Sequence, residues 1–503
     1  MERLLTPSQM RSAEKISDMN GVSYSQLMDN AGLKLADIIK SNARSRRKIT
    51  FLCGKGNNAG DCFVAAKHLK KDGFDISIVL LCGQPQSELA VKNFNIIKDS
   101  VYVSENPDAV RNSDIVADGV FGTGFKGKLD DSMKNIFENI PDSALKIAVD
   151  VPSGGNSLSG AVSDGTFKAD ITVTFGLPKF GMYQYPLNDF CGRIITADIG
   201  FTENVIENAA DIPIYRTSSE LVHSNILPRK NNSHKGNFGK LLSICGSTRM
   251  SGACMMAGKA ALKCGAGILI TASPEKSADR TALYLPEGMT LPLESDKNGF
   301  ALYDENICII KQYLEKSSAV LIGCGLGVTP DTVKLVCDIV KNAPCPVIID
   351  ADGINCIADR IEILKEAKYM PVLTPHPAEM ARLMHCCVND IQNDRFNAAV
   401  SFAKKYNATV ALKGAGTVIA SPECVFVNNT GNPGMSRGGS GDVLAGMTAS
   451  FRCQGFDAVT SAAMAVYIHG KAGDIAREKF SECAMLPTDI ISSLSDVFKN
   501  QDF

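Results

Sequence analysis

The sequence predicts an α/β protein of two domains, each a three-layer α/β/α arrangement around a parallel sheet, and three observations carry that prediction. The chain has 503 residues, too many for one hydrophobic core and enough for two that each bury their own. From Ile49 onward short apolar runs alternate with amphipathic stretches, which is how strands and helices alternate in a parallel sheet. The alternation breaks once, between Asp211 and Gly236, and then resumes.

Composition narrows the function classes. Hydrophobic residues make up 45%, charged residues 21%, and the net charge is -2. The chain therefore reads as soluble and globular, without the basic excess that nucleic-acid binding needs, and nucleic acid is not expected as a partner. The 17 cysteines are scattered through apolar strands and helices, as at Cys53, Cys245, Cys308 and Cys337, and read as reduced core residues. Cys386 and Cys387 are adjacent with no CxxC or histidine-rich partner nearby, so no zinc site is expected. The opening MERLLTPSQMRSAEK lacks an apolar signal core, and no run of about 18 apolar residues occurs. A cytoplasmic protein with no membrane partner follows.

The first domain is expected over residues 1–216. Two helical patterns lead from Leu5 to about Ala43, the second carrying Leu27, Met28, Ala31, Leu33, Leu35 and Ile38. That stripe packs on a sheet or on another subunit, and a homo-oligomer is expected. Strands follow at Ile49 to Cys53, Ile76 to Leu81, Ile115 to Val120, Ile147 to Val151, Ile171 to Phe175 and Ile194 to Ile199. This is a doubly wound, Rossmann-like pattern, which binds ligands at strand C-termini.

Three of those strands end in polar, glycine-bearing loops: CGKGNNAGDC (Cys53 to Cys62), DGVFGTGFKGK (Asp118 to Lys128) and DVPSG (Asp150 to Gly154). Singly, each is more often only a turn, with Asp118 and Asp150 capping it or a helix. Three at one sheet edge point to a ligand site. Asn58, Asp118 and Ser153 offer oxygen ligands to a hard monovalent cation, and Asp150 can act as acid or base.

In these loops the sequence resembles the N-terminal half of the bifunctional NAD(P)H-hydrate repair enzymes, which epimerises the hydrated nicotinamide ring. The family's loop reads GNNGGDG. Here Ala59 and Cys62 stand where it has glycines, and Asp29, in LMDNAG, stands where it usually has glutamate. Asn57, Asn58, Asp61, Asp118, Asp150 and Ser153 match. The resemblance implies a potassium ion at Asn58, Asp118 and Ser153, and catalytic Asp150 beside the substrate. It also implies substrate contacts from Asn57, Asn58, Ala59, Gly60 and Asp61, and from Gly122, Thr123, Gly124, Phe125, Lys126, Gly127 and Lys128.

The polar break IPIYRTSSELVHSNILPRKNNSHKG places the boundary near Arg216, with the second domain over 217–503. A strand in GKLLSICGS, an alanine-rich helix in GACMMAGKAALKCGAG and further strands in AVLIGCGLG and PVIIDADG predict a second parallel sheet. TPHPAEM sets His376 between prolines, which favours an extended turn and a rigidly presented imidazole. LKGAGT after the strand TVALK puts Lys413 and two glycines where a nucleotide fits, or is the turn of a plain hairpin. Neither GKGNNAGD nor LKGAGT has the spacing of a Walker loop.

The rest of this domain is organised around NPGMSRGGSGD, Asn432 to Asp442, with GDVLAG running on into a helix. Gly438, Gly439 and Gly441 allow close backbone approach, and the free N-H groups of the helix start make an anion cradle. Anions bound there repel a carboxylate, so Asp442 reads as a base in phosphoryl transfer. The bland alternative is a turn with Asp442 capping the helix.

From Asn232 to Asp489 these motifs resemble the ribokinase-like dehydratase half of the same enzymes, in the family's order HKGxxG, GxGLG, TPHPxE, KGxGT, GNPGMxxGGSGD and YxHGxAGD. By that resemblance Ala253, Gly325, His376 and catalytic Asp442 face the hydrated nucleotide. Lys413, Gly414, Ala415, Gly416 and Thr417, with the backbone around Asn432, Gly438, Gly439, Ser440 and Gly441, hold ADP. Arg437 stands where the family often has a small residue, and either reaches a phosphate or points to solvent.

The function implied is repair of NAD(P)H hydrate. The first domain exchanges its R and S epimers, and the second dehydrates the S form with ADP and magnesium, giving AMP and phosphate. The fused form resembles the bacterial and archaeal enzymes, whose donor is ADP; the separate eukaryotic dehydratase uses ATP. One alternative is a ribokinase-like kinase for a small alcohol such as a vitamin precursor, which leaves a stable phosphoester in place of free phosphate. Another makes the first domain a binding or scaffolding module, against which Asn58, Asp118, Asp150 and Ser153 together argue.

Overall fold

The computed structural model describes residues 1–226 and 228–500 and separates into two compact units, Arg3–Ile214, and Tyr215–Phe503 with Met1–Glu2. In the first, seven strands form one sheet: β1 (Lys48–Cys53), β2 (Asp75–Leu80), β3 (Tyr102–Ser104), β4 (Ile115–Gly119), β5 (Leu145–Val149), β6 (Ile171–Phe175) and β7 (Arg193–Ala197). Their order is β3-β2-β1-β4-β5-β6-β7, every pair parallel. The expected strands are present, most of them shorter at the C-terminal end. Val120, Asp150 and Ile199 have left the ladder for the loops. Strand β3 escaped the sequence pattern because it lies at the sheet edge with Tyr102 exposed, so it carries no buried alternation.

Helix α1 (Pro7–Met19) starts with a capping box between Thr6 and Gln9 and with proline in its first turn, each a device for satisfying or removing free N-H groups. Helix α2 (Tyr24–Ala43) buries Leu27, Met28, Ala31, Leu35, Ala36, Ile39 and Ala43. Leu33 and Ile38 depart from the expected stripe: Leu33 is exposed and Ile38 half-buried, because at 3.6 residues per turn they fall beside that face. The stripe is covered within the unit by α3 (Asn57–Lys71). A Cβ on Gly32 would lie 2.4 Å from the Val64 Cβ, so glycine permits the close crossing.

The second unit's sheet holds β8 (Lys240–Ile244), β9 (Ile268–Pro274), β10 (Met289–Leu293), β11 (Ala319–Ile322), β12 (Val347–Ile349), β13 (Val372–Leu373), β14 (Thr409–Leu412), β15 (Val418–Ala420) and β16 (Val425–Val427). The order is β16-β15-β14-β13-β12-β11-β8-β9-β10. It is parallel from β10 to β14, as expected. Beyond that it departs from the all-parallel expectation, because β14, β15 and β16 are joined by short turns that force antiparallel pairing. One sheet face is covered by helices α4 (Ser251–Lys263), α6 (Ser440–Cys453) and α7 (Ala458–Phe480), whose Ala257, Val443, Met447, Phe451 and Ile468 join the strand side chains in the core; α5 (Pro377–Met384) follows β13.

All 17 cysteines are free. Cys53 and Cys245 are buried as expected, but Cys308 is exposed and Cys337 half-buried. Both lie on amphipathic helices whose inward faces are set by other residues, Ile310 and Leu314 in one and Leu335, Val336, Ile339 and Val340 in the other. No helix among the described residues is long and apolar enough to cross a membrane.

Two candidate active sites

In the first unit the loops after β1, β4 and β5 open onto a cavity of about 750 Å³. Asn57, Asn58, Asp61, Gly122, Thr123, Gly124, Phe125, Lys126, Lys128 and Asp150 all line it. Ala59 and Gly60 are buried behind the wall, where a Cβ on Gly60 would sit 2.6 Å from the Met28 Cε. Gly127 has a positive φ of 109° and lies outside the lining. The exposed Lys55, Lys126 and Lys128 bring cations to the mouth, where phosphates of a nucleotide fit.

Asp150 follows β5 with φ 68°, a conformation that costs a non-glycine residue energy and marks functional sites. The turn aims its carboxylate at Lys179, whose ammonium donates to Asp150 Oδ1. Lys179 is fully buried and also donates to Thr174 Oγ1 and the Phe175 carbonyl, each at 2.9 Å. Asp61 faces the same space, and burial, then the charge of Asp150, pushes its carboxyl well up.

Asp118 and Ser153 meet at the ends of β4 and β5, and Asn58 opens the helix that follows β1. The Ser153 hydroxyl donates to Asp118 Oδ1 at 2.6 Å and its amide to Oδ2 at 2.8 Å. Asn58 donates through Nδ2 to the Val149 carbonyl at 3.1 Å, leaving its oxygen beside Gly122. Burial pushes Asp118 up to about 6, and among the described residues no lysine or arginine pairs with it. Cys62, where the family has glycine, is accommodated by Gly119, whose missing Cβ would lie 2.2 Å from the sulfur.

In the second unit the β11, β12, β13 and β14 loops converge on the start of α6. Gly439, at φ 103°, precedes the helix, and the first turn's amides have no carbonyl ahead of them. The buried Ser440 hydroxyl has no protein partner, and a polar group left open at this position fits an anion. Gly325, at φ 64°, closes on Ala253, where a Cβ added to the glycine would lie only 2.9 Å from that of Ala253, so these two residues do meet. His376 is extended as expected and caps α5: its Nδ1 accepts from the Ala378 and Glu379 amides, and Glu379 accepts from the His376 amide.

Loop 413–417 is the turn of the antiparallel β14–β15 hairpin, so the hairpin reading is right about its form. Gly414 and Gly416 have φ 144° and 67°, and Thr417 Oγ1 donates to the Gly414 carbonyl at 2.8 Å. Lys413 turns toward the chemistry: its ammonium donates to Asp350 Oδ1 at 2.9 Å, lies 3.8 Å from Glu379 Oε2, and a Cβ on Gly441 would be 3.3 Å away. Asn432 is held by Asp474 of α7, which accepts from its Nδ2 at 3.0 Å. Arg437 neither reaches the cradle nor points freely to solvent, because its guanidinium donates to the Cys483 carbonyl.

Asp442 lies in the first turn of α6. Its oxygen, an oxygen of Asp350 and the Cys324 sulfur lie within 4.8 Å of one another. Burial, then the charge of Asp350, pushes Asp442 up to about 6. Asp350, Glu379, Lys179 and Cys324 also belong to these sites, and the sequence motifs assign them no role. A carboxylate ending a buried strand, as Asp350 ends PVIID, was the one available signal.

Comparison with known proteins bears on both units. Residues 24–181 match the family model described as YjeF-related protein N-terminus, and residues 241–496 the one described as NAD(P)H-hydrate dehydratase. A bifunctional NAD(P)H-hydrate repair enzyme of Moorella thermoacetica is 34% identical over 99% of this chain and 97% of its own. One from Escherichia coli is 30% identical over 97% and 92%. A solved ribokinase-like superfamily protein of Enterococcus faecalis matches the fold with a TM-score of 0.50 at 26% identity, over 57% of this chain and 96% of its own. Likeness of this extent along nearly the whole length shows the family: the chain belongs to the bifunctional NAD(P)H-hydrate repair enzymes, which join an epimerase to a dehydratase.

Proposed function

We propose that residues 1–216 exchange the R and S epimers of NAD(P)H hydrate in the cytoplasm, and that residues 217–503 dehydrate the S epimer with ADP as phosphoryl donor. The observation that carries the second assignment is Asp442, a carboxylate in the first turn of a helix with its pKa pushed up to about 6. A base must be able to take a proton near working pH, and such a value permits it. Asp442 takes the proton of the ring hydroxyl as that oxygen attacks the terminal phosphorus of ADP and AMP departs. The ring nitrogen then expels phosphate, and loss of the neighbouring ring proton restores NAD(P)H. The amides and Ser440 hydroxyl at the start of α6 hold the phosphoryl charge.

The Asp350 oxygen not used by Lys413 and Thr374 is the hard donor that suits magnesium, whereas Cys324 is a soft one. Magnesium supplies charge neutralisation on the phosphates when bound. In the first unit, Asp150 is the acid–base group beside the ring. A buried Asp118 carboxylate without a cationic side chain, bonded to Ser153, together with the Asn58 oxygen, suits potassium, which would supply the missing positive charge.

The test is incubation of mixed-epimer NADPH hydrate with and without ADP, in potassium or in sodium, following NADPH absorbance and free phosphate. Full recovery with ADP, one phosphate per NADPH, is expected, with slower consumption of the R epimer in sodium. A stable phosphoester in place of free phosphate would make the second unit a kinase. Equal epimerisation in both salts, and in Asp118→Ala, would remove potassium.

A further inference from the structure

Helix α1 lies outside the segment matched by the family model, which begins at residue 24, yet it forms part of the wall of the epimerase cavity. Met10, Arg11 and Glu14 line that cavity, and Met10 is buried together with Ala13 and Ser17, which with Glu14 recur at the three- and four-residue spacing of one helical face. The helix is therefore fixed, and the Glu14 side chain is presented to the space that Asp150 and Asp61 also line. Among the described residues the Glu14 carboxyl has no hydrogen-bond or ion-pair partner. That carboxyl is half-buried and opens on the cavity, so it is available to a bound substrate.

We infer that Glu14 is a second acid–base residue of the epimerase, acting on the opposite face of the hydrated ring from Asp150. Inverting a carbon that bears a hydroxyl beside a ring nitrogen requires one proton to be given and one taken. Protonated Glu14 donates to the ring hydroxyl. The C–O bond breaks, water leaves, and the nitrogen lone pair forms a C=N⁺ bond. Water then adds from the other face while the Asp150 carboxylate takes its proton. One water has left and one has entered, and nothing is oxidised or reduced. Glu14 is now ionised and Asp150 protonated, which is the state needed to run the exchange backwards, as an epimerase must.

The surrounding charges support this division. Lys179 is in contact with Asp150 and donates to its Oδ1. Burial, then the Asp150 charge, raises the Glu14 carboxyl, while Lys179 and Arg11 oppose that. Lys55, Lys126 and Lys128 are the other cations on the cavity. Asp61, the other candidate, is pushed well up by burial first and then by Asp150 and Glu14, which suits it less to cycling.

The inference rests on Asp150 as the partner, and the experiment separates the two. In the full chain, Glu14→Gln, Asp150→Asn and Asp61→Asn are compared for exchange of purified R epimer, with the first unit's melting transition as the measure of its folding and dehydration of the S epimer as the measure of the second unit. Glu14→Gln is expected to lower kcat for exchange by about 10²-fold or more, with KM moving less than about threefold and dehydration unchanged. Formate is expected to restore exchange partly in Glu14→Ala, a rescue that a merely structural glutamate would not show. Wild-type kcat in Glu14→Gln, or no rescue by formate, overturns the inference while leaving Asp150 in place. Exchange surviving in Asp150→Asn overturns the site itself, and loss in Asp61→Asn with Glu14→Gln active transfers the role to Asp61.

Discussion

Asp150 and Asp442 both lie at the C-terminal edge of a parallel sheet, yet their surroundings are of opposite kind. Asp150 rests on the buried ammonium of Lys179, held there by a strained backbone at φ 68°. Asp442 has another carboxylate for a neighbour, Asp350, and the nearby Lys413 ammonium is already committed to Asp350 Oδ1. A cation in contact stabilises the charged carboxylate; burial beside a like charge disfavours it. The same architecture thus makes one carboxylate paired with a buried cation and one poised to accept a proton. That difference suits reversible exchange in one unit and proton removal during phosphoryl transfer in the other.

Cross-substitution is the strongest way to break the comparison. Asp442→Asn keeps size and polarity but removes the base, so ADP-dependent recovery of NADPH should fall by about 10² to 10⁴-fold, while epimer exchange continues. Asp150→Asn should do the reverse: the S epimer is consumed, the R epimer only as fast as it inverts spontaneously, and the progress curve is biphasic. Chromatography of both epimers over time checks it. Exchange halted by Asp442→Asn, or both epimers consumed normally in Asp150→Asn, would undo the division.

Lys179→Met tests the cation side. Removing one partner of a buried pair leaves the other charge uncompensated, at a cost of about 3–5 kcal/mol. The first unit's melting should fall steeply while the second unit's, read by its dehydratase activity after heating, stays. An unchanged first transition would mean that Lys179 is not what holds Asp150.

The acid limb of dehydration sharpens the other side. Asp442 must be ionised to act, and its value of about 6 in the ligand-free protein means that kcat/KM falls as pH drops through 6, about tenfold per unit below it. The stability sign is opposite. With the folded value raised above the unfolded one, Asp442 favours the fold most below about 4, and that contribution is lost as pH rises through 6. Removing the like charge with Asp350→Asn should shift the limb to lower pH; a limb that does not move would exclude Asp350 as the cause.

Much of this was legible in the sequence. The strands from Ile49 to Phe175 announce themselves as apolar runs, and the loops at Asn57, Gly122 and Gly438 by glycines that only a close-approaching backbone requires. What was not legible is contact between distant residues. Lys179, in LPKF, gives no local sign of being buried under Asp150, because its cation is stabilised by groups up to 29 positions away. Glu379 reads as a helix N3 residue, which it is, and nothing in TPHPAEM tells that Lys413 lies 3.8 Å from it. Tyr102–Ser104 was missed for want of burial, and Cys308 was misplaced because a cysteine on the outer face of an amphipathic helix looks, in sequence, like one on the inner.

Nucleotide binding probes a smaller effect and should appear in the second unit only. ADP or AMP bound to the folded state alone should stabilise it by about 2.7 kcal/mol at a hundredfold excess over Kd. Bulky residues at Gly414 and Gly416 should remove the shift, since both have positive φ and a Cβ on Gly414 would lie 3.0 Å from the Arg395 guanidinium. Melting of each variant without nucleotide gives the baseline. A shift that persists in a variant that still folds would put the nucleotide elsewhere.

The smallest effect belongs to Arg437, three residues before the helix that carries Asp442. A guanidinium this close to an anion cradle invites a role in holding phosphate, as Lys55, Lys126 and Lys128 do at the mouth of the Asp150 cavity. Its donation to the Cys483 carbonyl and its exposure argue instead for a surface tie, and such contacts are worth at most about 0.5 kcal/mol. Arg437→Ala should therefore move half-saturation by ADP less than about twofold, with kcat for dehydration unchanged. A tenfold rise, equivalent to about 1.4 kcal/mol, would mean that the side chain leaves Cys483 for a phosphate when ADP arrives. In that case the second site recruits its cation with the nucleotide, whereas the first has Lys179 built in.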